Sequence, residues 1–272
     1  MSGCVDFVLC GFGNIGGQIA SMLANDASHD LSLVAIAARN KEKAAAKARE
    51  LGLDVPMIDA ADAPRHANVV VEATTYESFR TVVEPSVEAG CHIVAVSVGA
   101  LAENFDLLDR ARETGATLHI ANGTLPGLDM VRAARETGLR DVRLISRLPP
   151  RSLAAEPYVT ERGFDFQNAA DAPVEVFSGS AREAALHFPR HFNIAVSLSL
   201  AGIGLDRTMI EIIADGNVPG SRQLLIVKSD AVELEMSSQN WPSPENNRTS
   251  RIVAPTIMAA LRSLASPVRV GS

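Results

Sequence analysis

The chain has 272 residues, with 25 Lys and Arg against 32 Asp and Glu, a net charge of −7 and a pI near 5.4. That acidic balance argues against a nucleic-acid or anionic-membrane surface and leaves small molecules or proteins as partners. Apolar residues at 47% and charged residues at 21% are ordinary for a globular protein, so disordered and fibrous classes are excluded, and the length allows two domains or one large one.

In chain order, the first half alternates two periodicities. Residues 5–10 (VDFVLC), 31–37 (LSLVAIA), 67–73 (ANVVVEA), 91–97 (CHIVAVS) and 116–121 (ATLHIA) are short, β-branched apolar runs. Between them lie Ala/Glu/Lys/Arg stretches such as 40–52 and 104–115, with helical spacing and glycine stops. Buried strands alternating with helices predict a doubly wound parallel sheet, a Rossmann domain over 1–124.

After residue 124 the pattern changes. Residues 141–148, 172–179, 207–215, 222–230 and 231–238 read as strands, several of them close neighbours, which predicts a mostly antiparallel sheet. Two helices interrupt it, 180–188, opened by a capping box of Ser180 and Glu183, and 190–202, closed by Gly202. This is an α+β domain over 125–240. A polar joint, 240–252 (NWPSPENNRTSRI), leads to a last helix at about 249–265 that is expected to pack back on the first domain. Thr249 or Ser250 can cap that helix, and Pro255 predicts a kink or restart in it.

Cys4, Cys10 and Cys91 form neither a CxxC pair nor an even set, so no disulfide framework and no metal site is expected. The N-terminus lacks a basic stretch followed by a cleavable apolar one, and no apolar run is long enough to span a bilayer. A soluble cytoplasmic protein is expected.

The sharpest chemical signal is FVLCGFGNIGGQIA. Gly11, Gly13 and Gly16 stand in GxGxxG spacing, with Asn14 and Ile15 between them, directly after a strand and at the start of an apolar-periodic helix. Gly11 suits a tight turn, Gly13 lets backbone approach a pyrophosphate, and Gly16 lets the helix pack closely, its N-terminus facing the anion. The second strand ends in Arg39 and Asn40, where an NAD-preferring enzyme often carries an acid, and an arginine there can hold a 2′-phosphate bidentately. NAD or NADP is the expected cofactor, with NADP plausible from Arg39. Ala73, Thr74, Val98 and Gly99 follow the fourth and fifth strand signals, at the carboxyl ends where such sheets bind ligands.

GFGNIG, VVVEA, VSVGAL, NGTLPGLD, HFPRHFNIAVSLSLAG, MIEIIAD and PSPENNRTS occur in the order and near the spacings of the NAD(P)-dependent L-aspartate dehydrogenases, and the chain resembles that family along its whole length. The resemblance implies a Rossmann domain, a second domain supplying the substrate pocket and a homodimer contact, and a small amino or oxo acid as substrate. It places Asn193 near the nicotinamide and Thr124 against the cofactor. It also marks three departures. Gln223 falls where the family carries a catalytic histidine, Leu148 replaces a lysine before the Pro149–Pro150 pair, and Asn122–Gly123–Thr124 replaces the usual SGA. A glutamine cannot act as a general base. The candidates left to carry the proton are another histidine (His191, or else His187 or His119), a water, or the substrate's own amine. Arg147, Arg151 and Arg190 are candidate anion holders. The alternatives kept open are a different amino or imino acid substrate, or a catalytically silent dinucleotide-binding protein.

Overall fold

The structure is a computed structural model that describes residues 4–188, 193–244, 246 and 249–271. Two compact units divide the chain, one of 1–121 with 254–270 and one of 122–253 with 271–272.

In the first unit, β1 (Val5–Cys10), β2 (Leu31–Ala37), β3 (Met57–Ile58), β4 (Val69–Glu72), β5 (His92–Ala95) and β6 (Thr117–Ile120) form one parallel sheet in the order 3-2-1-4-5-6. The helices between them are α1 (Asn14–Ala24), α2 (Lys41–Glu50), α3 (Phe79–Glu88) and α4 (Asp106–Thr114). This is the doubly wound dinucleotide order, which reverses between β1 and β4. The β-branched runs that announce the strands are buried because a parallel sheet is covered on both faces. Phe7, Val70, Val71, Ile93 and Val94 are fully enclosed. β3 has two residues, too few to carry a periodic signal.

In the second unit come α5 (Leu128–Arg135), β7 (Leu139–Leu148), α6 (Pro150–Leu153), α7 (Pro157–Arg162), β8 (Val174–Ser180), α8 (Ala181–His187), α9 (Asn193–Ala201), β9 (Met209–Ala214), β10 (Ser221–Ser229) and β11 (Glu233–Asn240). The sheet order is 11-10-7-9-8, and only the β7–β9 pair is parallel among the described residues. One face is buried, with Val142, Leu144, Ile210, Ile212, Leu225 and Val227 in the core. The other keeps Ile145, Ile213, Leu224 and Ile226 half-buried between Arg143, Glu211 and Glu235. The capping box forms as the sequence predicts: Glu183 N donates to Ser180 Oγ at 3.3 Å, and Ser180 N donates to Glu183 Oε2 at 2.8 Å.

The polar joint closes on itself. Ser243 N donates to the Thr249 carbonyl at 2.6 Å, Arg251 N to the Trp241 carbonyl at 3.0 Å, and Arg251 Nε to the Pro242 carbonyl at 2.9 Å. Backbone N–H groups and the Arg251 guanidinium thus answer the joint's own carbonyls. The last helix, α10 (Val253–Ala265), begins later than expected, and Pro255 falls in its first turn. A proline there removes an N–H that has no intrahelical acceptor, so the expected kink or restart does not occur. Ala254, Ile257, Met258 and Leu261 join Phe7, Leu9, Ile19 and Val71 in the first unit's core. Each large side chain so buried contributes about 1.5–3 kcal/mol. Arg262 anchors the far end of the helix, donating to Asp26 and Asp30 at 2.7 Å each. Among the described residues no helix is long and apolar enough to cross a membrane.

Candidate active site

In the first unit, the chain leaves β1 through a turn that only glycine permits. Gly11 has φ +97°, and a Cβ on it would lie 2.2 Å from the Ala73 carbonyl oxygen. A Cβ on Gly16 would lie 2.0 Å from the Gly11 carbonyl oxygen. Both are therefore required by the protein's own backbone. Gly13 differs: a Cβ there would meet nothing within 4 Å. Nothing inside the described chain explains the absent side chain, whereas a diphosphate approaching the backbone does.

The start of α1 fits such an anion. Its first turn carries no acidic residue, and no side chain caps Gly13, so the first N–H groups keep their positive end of the helix dipole. The Asn14 amide has its oxygen taken by Gln18 Nε2 at 3.1 Å, and its nitrogen is buried without a partner. Ile15 is half-buried against the core, and Lys47 Nζ sits 5.4 Å from the centre of the Phe12 ring. At the end of β2, Arg39 is exposed. Asn40 is beside it but spends its side-chain oxygen on the N-terminus of α2, accepting from Lys43 N at 2.9 Å.

One residue at this end of the sheet was not singled out by sequence. Glu72 closes β4 and is fully buried. Its Oε1 accepts from Thr74 N at 2.8 Å and Thr74 Oγ1 at 2.7 Å, while Oε2 accepts from Ser97 N at 2.8 Å and Val96 N at 3.2 Å. Ser97 Oγ donates in turn to the Thr74 carbonyl at 2.9 Å. The carboxylate so ties the Ala73–Thr74 loop to the loop entering Val98 and Gly99, which are buried in a 3-10 turn. The signal in the sequence was a lone acid ending a run of valines. Burial, and then the Glu72 carboxylate beside it, push the Cys10 thiol up to about 12, so it stays a neutral packing group.

His119 and His187, candidates for moving the proton, each have close side-chain neighbours. His119 Nε2 lies 3.1 Å from Thr117 Oγ1, whose other neighbour is His92 Nδ1 at 2.6 Å. Burial, and then His92 and Arg269, hold the His119 imidazole below its ordinary pKa. The His187 ring packs against Tyr158, 4.7 Å between centroids, within a cluster with Phe177 and Phe188. Arg147 is paired with Asp215 at 2.9 Å, and Arg151 donates to the Pro219 carbonyl at 2.8 Å. His191 and Arg190 lie outside the described residues.

In the second unit, Gln223 lies on the buried face of β10, 2% exposed. It is registered between Ser146 of β7 and Ser238 of β11. Ser238 Oγ donates to the Thr124 carbonyl at 2.7 Å, which brings Thr124 to the same end of the sheet, and Asn240 Nδ2 donates to Ser238 Oγ at 3.0 Å. Asn193 opens α9, half-buried, and its carbonyl accepts from Ser197 Oγ at 3.0 Å.

A six-stranded parallel sheet in dinucleotide-fold order with an open glycine turn, followed by an α+β unit with buried polar groups, defines a Rossmann-type protein of two units. Comparison with known proteins narrows this. A family profile described as "Aspartate dehydrogenase, C-terminal" matches residues 129–264, and one described as "Homoserine dehydrogenase, NAD binding domain" matches 11–121. L-aspartate dehydrogenase 3 of Bordetella bronchiseptica is 39% identical over 264 residues, covering 97% of this chain and 96% of that protein. L-aspartate dehydrogenase of Bradyrhizobium diazoefficiens is 37% identical over 264 residues, covering 97% and 93%. The crystal structure of aspartate dehydrogenase from Thermotoga maritima superposes with a TM-score of 0.73 at 20% identity, covering 98% of this chain and 99% of that one, and shares the fold. The chain belongs to the L-aspartate dehydrogenase family, and its first unit is an NAD(P)-binding domain.

Proposed function

We propose that the protein is an NAD(P)-dependent L-aspartate dehydrogenase. The observation that carries this reading is its near full-length likeness to proteins of that name in two bacteria. When bound, the nicotinamide would supply the hydride acceptor for Cα of aspartate; the overall conversion is of aspartate to iminosuccinate and, by hydrolysis, to oxaloacetate and ammonia, with reductive amination as the reverse. In this reading Gly11, Gly13, Asn14, Ile15 and Gly16 hold the diphosphate, Arg39 and Asn40 the adenosine ribose, and Ala73, Thr74, Val98, Gly99 and Thr124 the rest of the cofactor. Asn193 and Gln223 orient the substrate. Gln223 cannot take a proton, so His191 is assigned that step, or water in its place. The test is reduced-cofactor formation with L-aspartate, and consumption with oxaloacetate and ammonium.

Two features favour a second reading, a different amino or imino acid as substrate. Gln223 is buried where the resemblance gives a titratable histidine, and Leu148 stands where it gives a lysine. A panel of amino acids and 2-oxo acids separates the two.

We also assign a homodimer working in the cytoplasm. The half-buried apolar row Ile145, Leu224 and Ile226 on the open face of the second sheet, edged by Arg143 and Glu235, supports a self-complementary contact. The three free thiols support a reducing compartment.

A further inference from the structure

Four buried side-chain polar atoms among the described residues have no hydrogen-bond partner: Asn14 Nδ2, Arg143 Nε, Ser146 Oγ and Gln223 Oε1. The last two are neighbours. Ser146 and Gln223 stand directly opposite each other in the antiparallel β7–β10 pair, on its enclosed face, 0% and 2% exposed. Such residues have Cβ atoms about 4.5–5.5 Å apart. The next hydroxyl in the row, Ser238, is already committed to Thr124 and Asn240.

A hydroxyl beside an amide oxygen would ordinarily close on it and satisfy both groups, because a buried polar atom left unpaired is costly. Here the two remain apart and unsatisfied. Sites that give up stability in this way are where binding or catalysis is to be sought.

The chemistry of the atoms selects the ligand group. An amide oxygen only accepts, so its partner must bring an N–H or O–H; a carboxylate, itself an acceptor, cannot serve. Of the polar groups on an α-amino dicarboxylate, only the nitrogen donates. We propose that Ser146 and Gln223 together hold the substrate's amino nitrogen, Gln223 Oε1 accepting from N–H and Ser146 Oγ making the second hydrogen bond. This rests on the amino-acid dehydrogenase reading and adds Ser146, which stands in no motif of the sequence. Oε1 can accept from ammonium and from neutral amine alike, and neither side chain titrates. Nitrogen recognition at this point therefore involves no protonation change of these two side chains.

The test compares two ligands on the protein saturated with reduced dinucleotide, by titration calorimetry: L-aspartate, and succinate, which keeps both carboxylates and lacks the nitrogen. The native protein should prefer aspartate. Ser146→Ala and Gln223→Leu should each cut that preference about tenfold or more, as expected for a hydrogen bond to a charged group, with succinate binding little changed. Gln223→Glu keeps an acceptor and should keep aspartate binding; if the amide instead donated to a carboxylate, both ligands would weaken together. Thermal melting supplies a second readout. Ser146→Ala removes an unpaired hydroxyl, so its Tm should match or exceed the native value, whereas a hydroxyl with a structural role would lower it. An unchanged aspartate-to-succinate ratio in Ser146→Ala, while native protein turns over aspartate, overturns this proposal alone. Native protein that binds reduced dinucleotide but neither binds nor turns over aspartate overturns the substrate reading and this proposal with it.

Discussion

Gly11 and Gly16 are excluded from carrying a side chain by backbone 2.2 and 2.0 Å away, while the space in front of Gly13 is open. Gly11→Ala should therefore lower stability, by about 1–3 kcal/mol from its positive φ alone. Gly13→Val should leave the melting temperature close to native yet abolish the fluorescence enhancement of bound NAD(P)H. Retained enhancement would remove Gly13 from the diphosphate site. Arg39 is exposed, so Arg39→Ala should cost no stability. If it holds a 2′-phosphate, the variant should lose about 1–3 kcal/mol in NADP affinity and less for NAD; equal losses would show that it does not discriminate. At this scale the sequence was readable where a residue type is itself the constraint, as with the glycine spacing and the Ser180 capping box. It was silent where the partner lies on another strand. Ser146 acquires its neighbour from the β7–β10 register, and Glu72 acquires two of its four donors from a loop 24 and 25 residues on. The fold sets His119 beside Thr117 and His92, and His187 beside Tyr158 and Phe177.

The loops after β4 and β5 are held as one element by the Glu72 carboxylate. Replacing it with alanine leaves the Thr74 and Ser97 backbone N–H groups without their acceptor and strips the Thr74 hydroxyl of its short one, while Val96 N keeps the backbone carbonyl of residue 72 at 3.0 Å. Glu72→Ala should lose about 2–5 kcal/mol, read as a lower denaturant midpoint at unchanged slope, and should weaken dinucleotide binding as well. Native-like affinity in that variant would separate the loops from the cofactor. The docking of α10 has a pH signature. Asp26 and Asp30 are held below the ordinary carboxylate range, first by hydrogen bonds from Ser28 and then by Arg262. Their folded pKa lies below the unfolded value, so the stabilisation is complete above about pH 4 and is lost as pH falls through the lowered folded pKa. The Ser28→Ala/Arg262→Ala double variant should be less stable at neutral pH and show a flatter fall in Tm below about pH 4. A slope equal to the native one would show that the Ser28 hydroxyl and Arg262 do not hold the carboxyls, since the Ser28 backbone N–H still reaches Asp26 in the variant. The polar joint before α10 was conspicuous in sequence, but its closing contacts from Ser243 to Thr249 and from Arg251 to Trp241 were not.

For the molecule as a whole, the fold class was legible because parallel strands buried on both faces must be nearly continuous apolar runs, and the runs around Phe7, Leu33, Val70, Ile93 and Leu118 are spaced by helices that return the chain in one direction. The two-residue β3 and the parallel β7–β9 pairing left no comparable trace. If the open face of the second sheet joins two copies, Leu224→Glu should shift the protein from dimer to monomer in analytical ultracentrifugation without unfolding it; a native monomer at micromolar concentration would remove the assignment. A buried glutamine serves where the resemblance places a histidine, in an enzyme that still acts on aspartate. Steady-state reduction of NAD and of NADP by native protein, with L-aspartate set beside a panel of other amino acids, tests it most directly. Turnover with L-aspartate should exceed that with every other amino acid. Reduction that is faster with another amino acid, or absent with all of them while NAD(P)H still binds, would contradict it.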